Sequence, residues 1–303
     1  MIRVGITGGS GRKAGELIRI LINHPDIDIR WVQSKRLAGR AITEVHHGLI
    51  GETDLRFAAS VDLGEIDIVF LCHTPGISLN WLTSRELPAD LRIIDMSPDL
   101  RLSAEHGFVY GLPELNRKAL VRGATRAAVP HPMAAAILLA LLPFAKKHAL
   151  NTPISATASV PAFCEDTAPD TVSKEAAHAL YSLQESFSQP ISVQITTAAD
   201  DTREISAQIR FESPEDIGEI FRSFEEFYDD HNFIHLLTSR VADKEVEGTN
   251  KCMICIDKEA DTVVISVLFD VSIKGEAGTA VHDMNLLFGL HERTGLALKA
   301  SVL

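Results

Sequence analysis

Residues 2–6 form a short apolar run that ends in glycines, and Leu17, Ile18, Ile20, Leu21 and Ile22 then recur on a helical segment over 15–23. Pro25 closes that helix, because the residue before a proline is pushed out of the helical region. Apolar runs at 27–32, 66–72 and 91–96 read as strands, the second apolar nearly throughout, as a strand covered on both faces requires. Strand, helix, strand in this order predicts a parallel, doubly wound sheet with right-handed crossovers. A further helix is expected from residue 134 to about 148.

Beyond that helix the pattern changes. Residues 154–160, 191–197, 251–256 and 263–270 read as strands, and 204–211 alternates polar with apolar positions. An ordinary helical run covers 173–185, and an acidic amphipathic helix covers 214–228, with Ile217, Ile220, Phe221, Phe224 and Phe227 at helical spacing. A last helix is expected over 278–290, and residues 165–171 read as a flexible loop. The second half is therefore predicted to be an α+β domain with an antiparallel or mixed sheet.

Composition narrows the partners. A length of 303 residues suits one large or two ordinary domains, and 46% hydrophobic with 23% charged residues is the balance of a soluble globular chain. Acidic residues outnumber basic ones by 41 to 29, so no nucleic-acid partner is expected. The longest apolar run, 133–142, stops at Pro143 and is too short to cross a bilayer, so no membrane partner is expected either. The chain starts directly in a strand without the apolar core of a signal peptide, and its four cysteines then point to reduced thiols in a cytoplasm. Cys252 and Cys255 form a C-x-x-C inside a predicted strand, where side chains three apart face opposite ways, so they are expected to be buried and structural. His46, His47, His231 and His235 lack the acidic or cysteine company of a metal site, and none is expected.

Candidate chemistry begins at the first turn. Gly5, Gly8 and Gly11 are spaced G-x-x-G-x-x-G between a strand and a helix, where glycine lets the backbone approach a pyrophosphate at the helix start. Gly8, Ser10 and Gly11 are thus candidate cofactor-binding residues. At the end of the second strand Ser34, Lys35 and Arg36 carry no acid for a ribose hydroxyl, so Ser34 and Arg36 point to NADP(H), a solvated basic loop being the alternative. Arg12 and Lys13 oppose the helix macrodipole, so they are either exposed or meet an anion, and both join the candidate cofactor set.

Four motifs carry a family resemblance: Gly8-Gly9-Ser10-Gly11 with Ala14-Gly15-Glu16-Leu17; Ile94-Asp95-Met96-Ser97-Pro98-Asp99-Leu100-Arg101-Leu102; Val109-Tyr110-Gly111-Leu112-Pro113-Glu114-Leu115-Asn116-Arg117; and Lys274-Gly275 through Met284-Asn285-Leu286. With these the chain resembles the N-acetyl-γ-glutamyl-phosphate reductases, relatives of aspartate-semialdehyde dehydrogenase. The resemblance implies a Rossmann-like α/β parallel-sheet domain that binds NADP(H), made of residues 1–132 and 277–303. It also implies an α+β second domain of the semialdehyde-dehydrogenase type over 133–276, and a homo-oligomer. It places Gly76 and Asn285 at the cofactor, and Ser97, Arg101, Arg203 and Lys274 at a small anionic substrate. Asp99 pairing with Arg101, and Asn285 bracing the last helix, are the structural alternatives.

The family reduces an acyl phosphate: a cysteine thiolate expels phosphate, a thioester forms, NADPH delivers hydride, and a histidine of the second domain serves as acid and base. Family members read Asn-Pro-Gly-Cys at positions 129–132, where this chain reads Val129-Pro130-His131-Pro132. Pro75 stands where the family has a histidine ahead of Gly76, and the insertion that brings the family's catalytic histidine is largely missing after Val160. No catalytic residue of the family is retained; Cys164 and His131 are the remaining candidates. The expected function is therefore an NADP(H)-binding relative without the covalent route. The alternatives are an oxidoreductase of altered chemistry, by direct hydride transfer or through Cys164, and the parent reaction itself.

Overall fold

The computed structural model describes residues 1–164, 168–198, 202–239 and 244–300. The chain divides into two compact units, one of Met1–Pro130 with Glu276–Ala297, the other of His131–Gly275 with residues from Leu298.

The first unit runs β1 (Ile2–Thr7), α1 (Arg12–Leu21), β2 (Ile27–Gln33), β3 (Phe57–Ala58), β4 (Ile68–Leu71), α2 (Ile77–Thr83), β5 (Arg92–Asp95), β6 (Val109–Tyr110), α3 (Pro113–Val121) and β7 (Arg126–Ala128). Its seven strands are ordered β3-β2-β1-β4-β5-β7-β6, and every neighbouring pair is parallel. The chain builds outward from β1 to β3 and returns to lay β4 on the other side of β1. That reversal opens a crevice at the carboxyl ends of β1 and β4, where ligands of open α/β sheets bind. β4 is buried along its whole length, which its unbroken apolar sequence anticipates. α1 buries Ala14, Leu17, Ile18, Ile20 and Leu21 and starts at Arg12, three residues before the period becomes visible.

The second unit runs α4 (Pro132–Lys146), β8 (Ile154–Val160), α5 (Pro169–Tyr181), β9 (Ile191–Thr197), β10 (Glu204–Glu212), α6 (Ile217–Tyr228), β11 (Ile234–Leu237), β12 (Cys252–Glu259) and β13 (Thr262–Asp270). Its sheet, ordered β11-β12-β13-β10-β8-β9, is mixed: β8 with β9 and β11 with β12 are parallel, and the remaining pairs antiparallel. A wide helical turn, Ile273–Ala277, leads to α7 (Gly278–Leu287), which belongs to the first unit.

α4 runs through Pro143, within the bounds expected of a helix from 134 to about 148. A proline cannot donate to the carbonyl four residues back, and here that carbonyl, Leu139 O, accepts from Tyr228 Oη at 2.6 Å. The orphan created by the proline is satisfied from α6. Of the expected loop 165–171, residues 165–167 lie outside the described part, and Pro169 already opens α5. No helix among the described residues is long and apolar enough to cross a membrane. Cys252 and Cys255 are both buried in β12.

Candidate functional site

In the first unit the turn after β1 has the shape a dinucleotide needs. Gly8 takes φ +69°, and a Cβ there would lie 2.3 Å from the carbonyl oxygen of Cys72. Gly11 starts α1 without any side-chain cap, and no acid stands in the first helical turn. An uncapped helix start beside a glycine turn suits a pyrophosphate. Ser10 lies in this turn, half-buried, and His46 Nε2 donates to Gly9 O at 2.8 Å, which ties the turn to the segment after β2. At the end of β2 Ser34 is half-buried and Arg36 exposed. The residues present fit a dinucleotide.

Arg12 and Lys13 meet an anion, but it is one of the chain's own. Arg12 Nη2 is 2.7 Å from Glu276 Oε2, Lys13 Nζ is 3.4 Å from Glu276 Oε1, and Lys13 also donates to Met96 O at 3.0 Å. Glu276 was not among the residues singled out above. It lies within the motif that begins at Lys274-Gly275, but nothing in its spacing points to the cations of α1.

The loop after β5 is more occupied than its motif suggests. Asp99 does not pair with Arg101; its carboxylate accepts from the N–H groups of Gly76, Ser78 and Leu79 at 2.7, 2.9 and 3.4 Å and so caps α2. Gly76, expected at the cofactor, takes φ +83° to make that cap. Arg101 is buried and donates from Nε to Val129 O at 3.0 Å. Ser97 is fully buried and donates to Asp95 Oδ2 at 2.8 Å, which corrects its assignment to substrate: the hydroxyl is an internal brace. Asn285 is corrected in the same way. Its Oδ1 accepts from His24 Nε2 at 3.0 Å, and its Nδ2 donates to Glu292 O and Thr294 O at 3.2 and 2.9 Å. An amide so engaged braces α7.

Sequence reasoning also missed His73, just past β4, 3.2 Å from Ser78 Oγ through Nδ1. Burial pushes its pKa down to about 4; Asp99 opposes this and Arg85 adds to it. The folded pKa lies below the ordinary 6.5, so the stability this neutral ring contributes is present above pH 6.5 and lost as pH falls toward 4. Unfolding free energy should fall over that interval by up to about 3 kcal/mol from this ring before solvent screening reduces it, and His73→Gln should flatten the profile in urea titrations. Asp95 and Asp270, pushed up by burial, act in the other sense. Their contribution is present below 3.8 and lost as pH rises, which softens the decline near pH 4.

The second unit holds the segment where a nucleophile is expected. His131 caps α4, its Nδ1 accepting from Met133 N at 3.1 Å, while its own N–H donates to Glu175 Oε1 at 2.7 Å. Pro132 follows at the first helical position, where a missing N–H costs nothing. A Cβ on Gly275 would come within 3.1 Å of the Pro132 ring, so the proline packs on bare backbone. His-Pro is thus a helix start in the ordinary structural sense. Arg203, expected at the substrate, has its Nε 3.2 Å from Asp270, whose side chain has no exposure. Lys274 is 3% exposed.

Cys72 is not an activated thiol. Cys72 is buried beside Met96 and its pKa is pushed up to about 12, against the pull of Lys13. Cys164, half-buried on the short turn Ala162–Cys164, is the one cysteine that is not buried. Among the described residues no three His, Cys, Asp or Glu side chains form a metal cluster.

Residues 3–122 match the family described as "Semialdehyde dehydrogenase, NAD binding domain". Among solved structures, the chain resembles aspartate semialdehyde dehydrogenase II of Vibrio cholerae, complexed with ASA, at TM-score 0.72 and 15% identity over 95% of this chain and 98% of that one. It also resembles aspartate semialdehyde dehydrogenase of Candida albicans, crystallised with NADP, at TM-score 0.73 and 16% identity over 95% and 99%. These likenesses concern the fold. Sequence relatives stand nearer: N-acetyl-gamma-glutamyl-phosphate reductase of Phocaeicola vulgatus is 38% identical, and that of Bacteroides thetaiotaomicron 39%, each over 99% of both chains. The alignments run over 322 residues against the 303 of this chain, so parts of those relatives have no counterpart here. At that identity and coverage, the chain belongs to the N-acetyl-γ-glutamyl-phosphate reductase family.

Proposed function

We propose that this chain binds NADP(H) at the carboxyl edge of its parallel sheet and has left the cysteine-thioester route, serving as a non-catalytic or repurposed member of its family. Pro132 carries the reading. At the family's cysteine position it supplies neither a nucleophile nor an N–H, and it is held as the first residue of α4. A thiol there would have had its pKa lowered by the helix start; an imino-acid ring has nothing to ionise.

Bound there, the dinucleotide supplies a hydride donor or acceptor at its nicotinamide. The glycine turn at Gly8 admits its pyrophosphate, and Ser34 with Arg36, in a strand end free of acid, supports the 2′-phosphate of NADP over NAD. His73, held neutral, carries no charge into the region at physiological pH. A small anionic ligand, a homo-oligomeric assembly without nucleic acid or membrane, and a cytoplasmic setting belong to the same proposal.

A second reading keeps an oxidoreductase of altered chemistry, favoured by Cys164 as the one thiol that is not buried. One experiment separates them. NADPH fluorescence titration of the purified protein should show binding, while NADPH oxidation with N-acetyl-γ-glutamyl phosphate stays at the buffer rate. Turnover would overturn the first reading, and loss of that turnover in Cys164→Ser would select the second. Absence of binding to NADPH and NADH alike would remove the cofactor, and a monomer mass by light scattering would remove the assembly.

A further inference from the structure

Glu276 stands in the wide turn Ile273–Ala277 ahead of α7, and its side chain is 7% exposed. Its two carboxylate oxygens are divided between the two cations: Oε2 lies 2.7 Å from Arg12 Nη2 and Oε1 lies 3.4 Å from Lys13 Nζ. Arg12 and Lys13 are the first two residues of α1, directly after the uncapped Gly11. Lys13 reaches past the helix to Met96 O, at the carboxyl end of β5. The carboxylate is therefore beside the start of α1, and Lys13 ties that start to the end of β5. It answers, from within the chain, the positive charge that a pyrophosphate would otherwise meet.

Two opposite roles are open to such a group. It could order the cations for a ligand, or it could compete with the ligand for them. A charge-assisted pair at 2.7 Å has to be broken or shared before Arg12 can turn to a phosphate, and a buried carboxylate also repels that phosphate. We infer that Glu276 is a built-in counter-anion of the dinucleotide cradle, holding Arg12 and Lys13 until nucleotide phosphate displaces it and so setting the affinity of this chain for its dinucleotide. This rests on the dinucleotide-binding reading above.

Calorimetric titration of NADPH into the full chain, its E276Q and E276A variants, and R12A/E276Q tests it. Both single variants should bind at least about ten-fold tighter than the unaltered chain, since an ionic hydrogen bond no longer has to be given up. The gain should disappear in R12A/E276Q. E276Q keeps the shape of the side chain and E276A removes it, and thermal melts of both check that the fold is intact. Equal or weaker binding by E276Q and E276A overturns the inference and leaves dinucleotide binding standing, as does a gain that survives the loss of Arg12. Binding by none of the four removes the dinucleotide reading, and the inference with it.

Discussion

Asp270→Ala is expected to cost about 3–5 kcal/mol of stability, the range for breaking a buried, hydrogen-bonded ion pair. Asp270 Oδ1 accepts from Ser272 N at 2.7 Å and Ile273 N at 3.1 Å; Oδ2 accepts from Gly248 N at 2.7 Å and faces Arg203 Nε at 3.2 Å. Alanine would leave three backbone donors and a guanidinium turned toward a hole, each carrying its desolvation cost. Burial pushes the carboxyl pKa up, and the Gly248 N–H and Arg203 pull it back. Asp270→Asn, with one acceptor oxygen in place of two, should fall between. Urea unfolding with an unchanged m-value measures the effect. A loss under about 1 kcal/mol would mean that water replaces these contacts. The same geometry places Arg203, a residue type suited to an anionic substrate, beside a carboxylate of its own unit.

Gly8→Ala should be nearly as damaging, and at the cofactor more so. At φ +69° an alanine pays about 1–2 kcal/mol for the left-handed region alone. Its Cβ would also stand 2.3 Å from Cys72 O and 2.7 Å from Cys72 C, backbone atoms that cannot swing away. The turn must then move out of the shape that admits a pyrophosphate, and NADPH affinity should fall by about 100-fold or more. Gly11→Ala is the internal control. A Cβ there meets only Gly8 O, at 3.5 Å, an ordinary contact, so stability should change by no more than about 1 kcal/mol. Equal damage at both positions would show that the glycines serve the helix start rather than the turn.

The elements that can be read from periodicity are those long enough to show one. β8 and β9 have the bounds expected of them, and β4 and β13 differ from expectation only at their ends. β3, β6 and β7, of two, two and three residues, are too short to show a period and enter the sheet only because longer neighbours pair with them. α2 is a seven-residue helix whose cap, Asp99, comes from beyond β5. Pro143 falls within the helix that the sequence predicts, but the bond that satisfies the carbonyl it orphans comes from Tyr228, 89 residues from Leu139 along the chain.

At the site the division is similar. Gly8 and the acid-free end of β2 follow from local spacing, because a turn and a strand end are made by neighbours in sequence. Ser97 and Asn285 have the right residue types for a ligand, yet their hydrogen bonds are spent inside the protein. The sequence by itself determined the two-part α/β and α+β architecture, the glycine turn and the proline at position 132. Only the tertiary structure decided which polar groups are already engaged, because the partners are remote: Glu276 lies 264 positions from Arg12, and Asn285 lies 261 from His24. A side chain's chemistry is written in its identity, but its availability depends on what folding brings beside it.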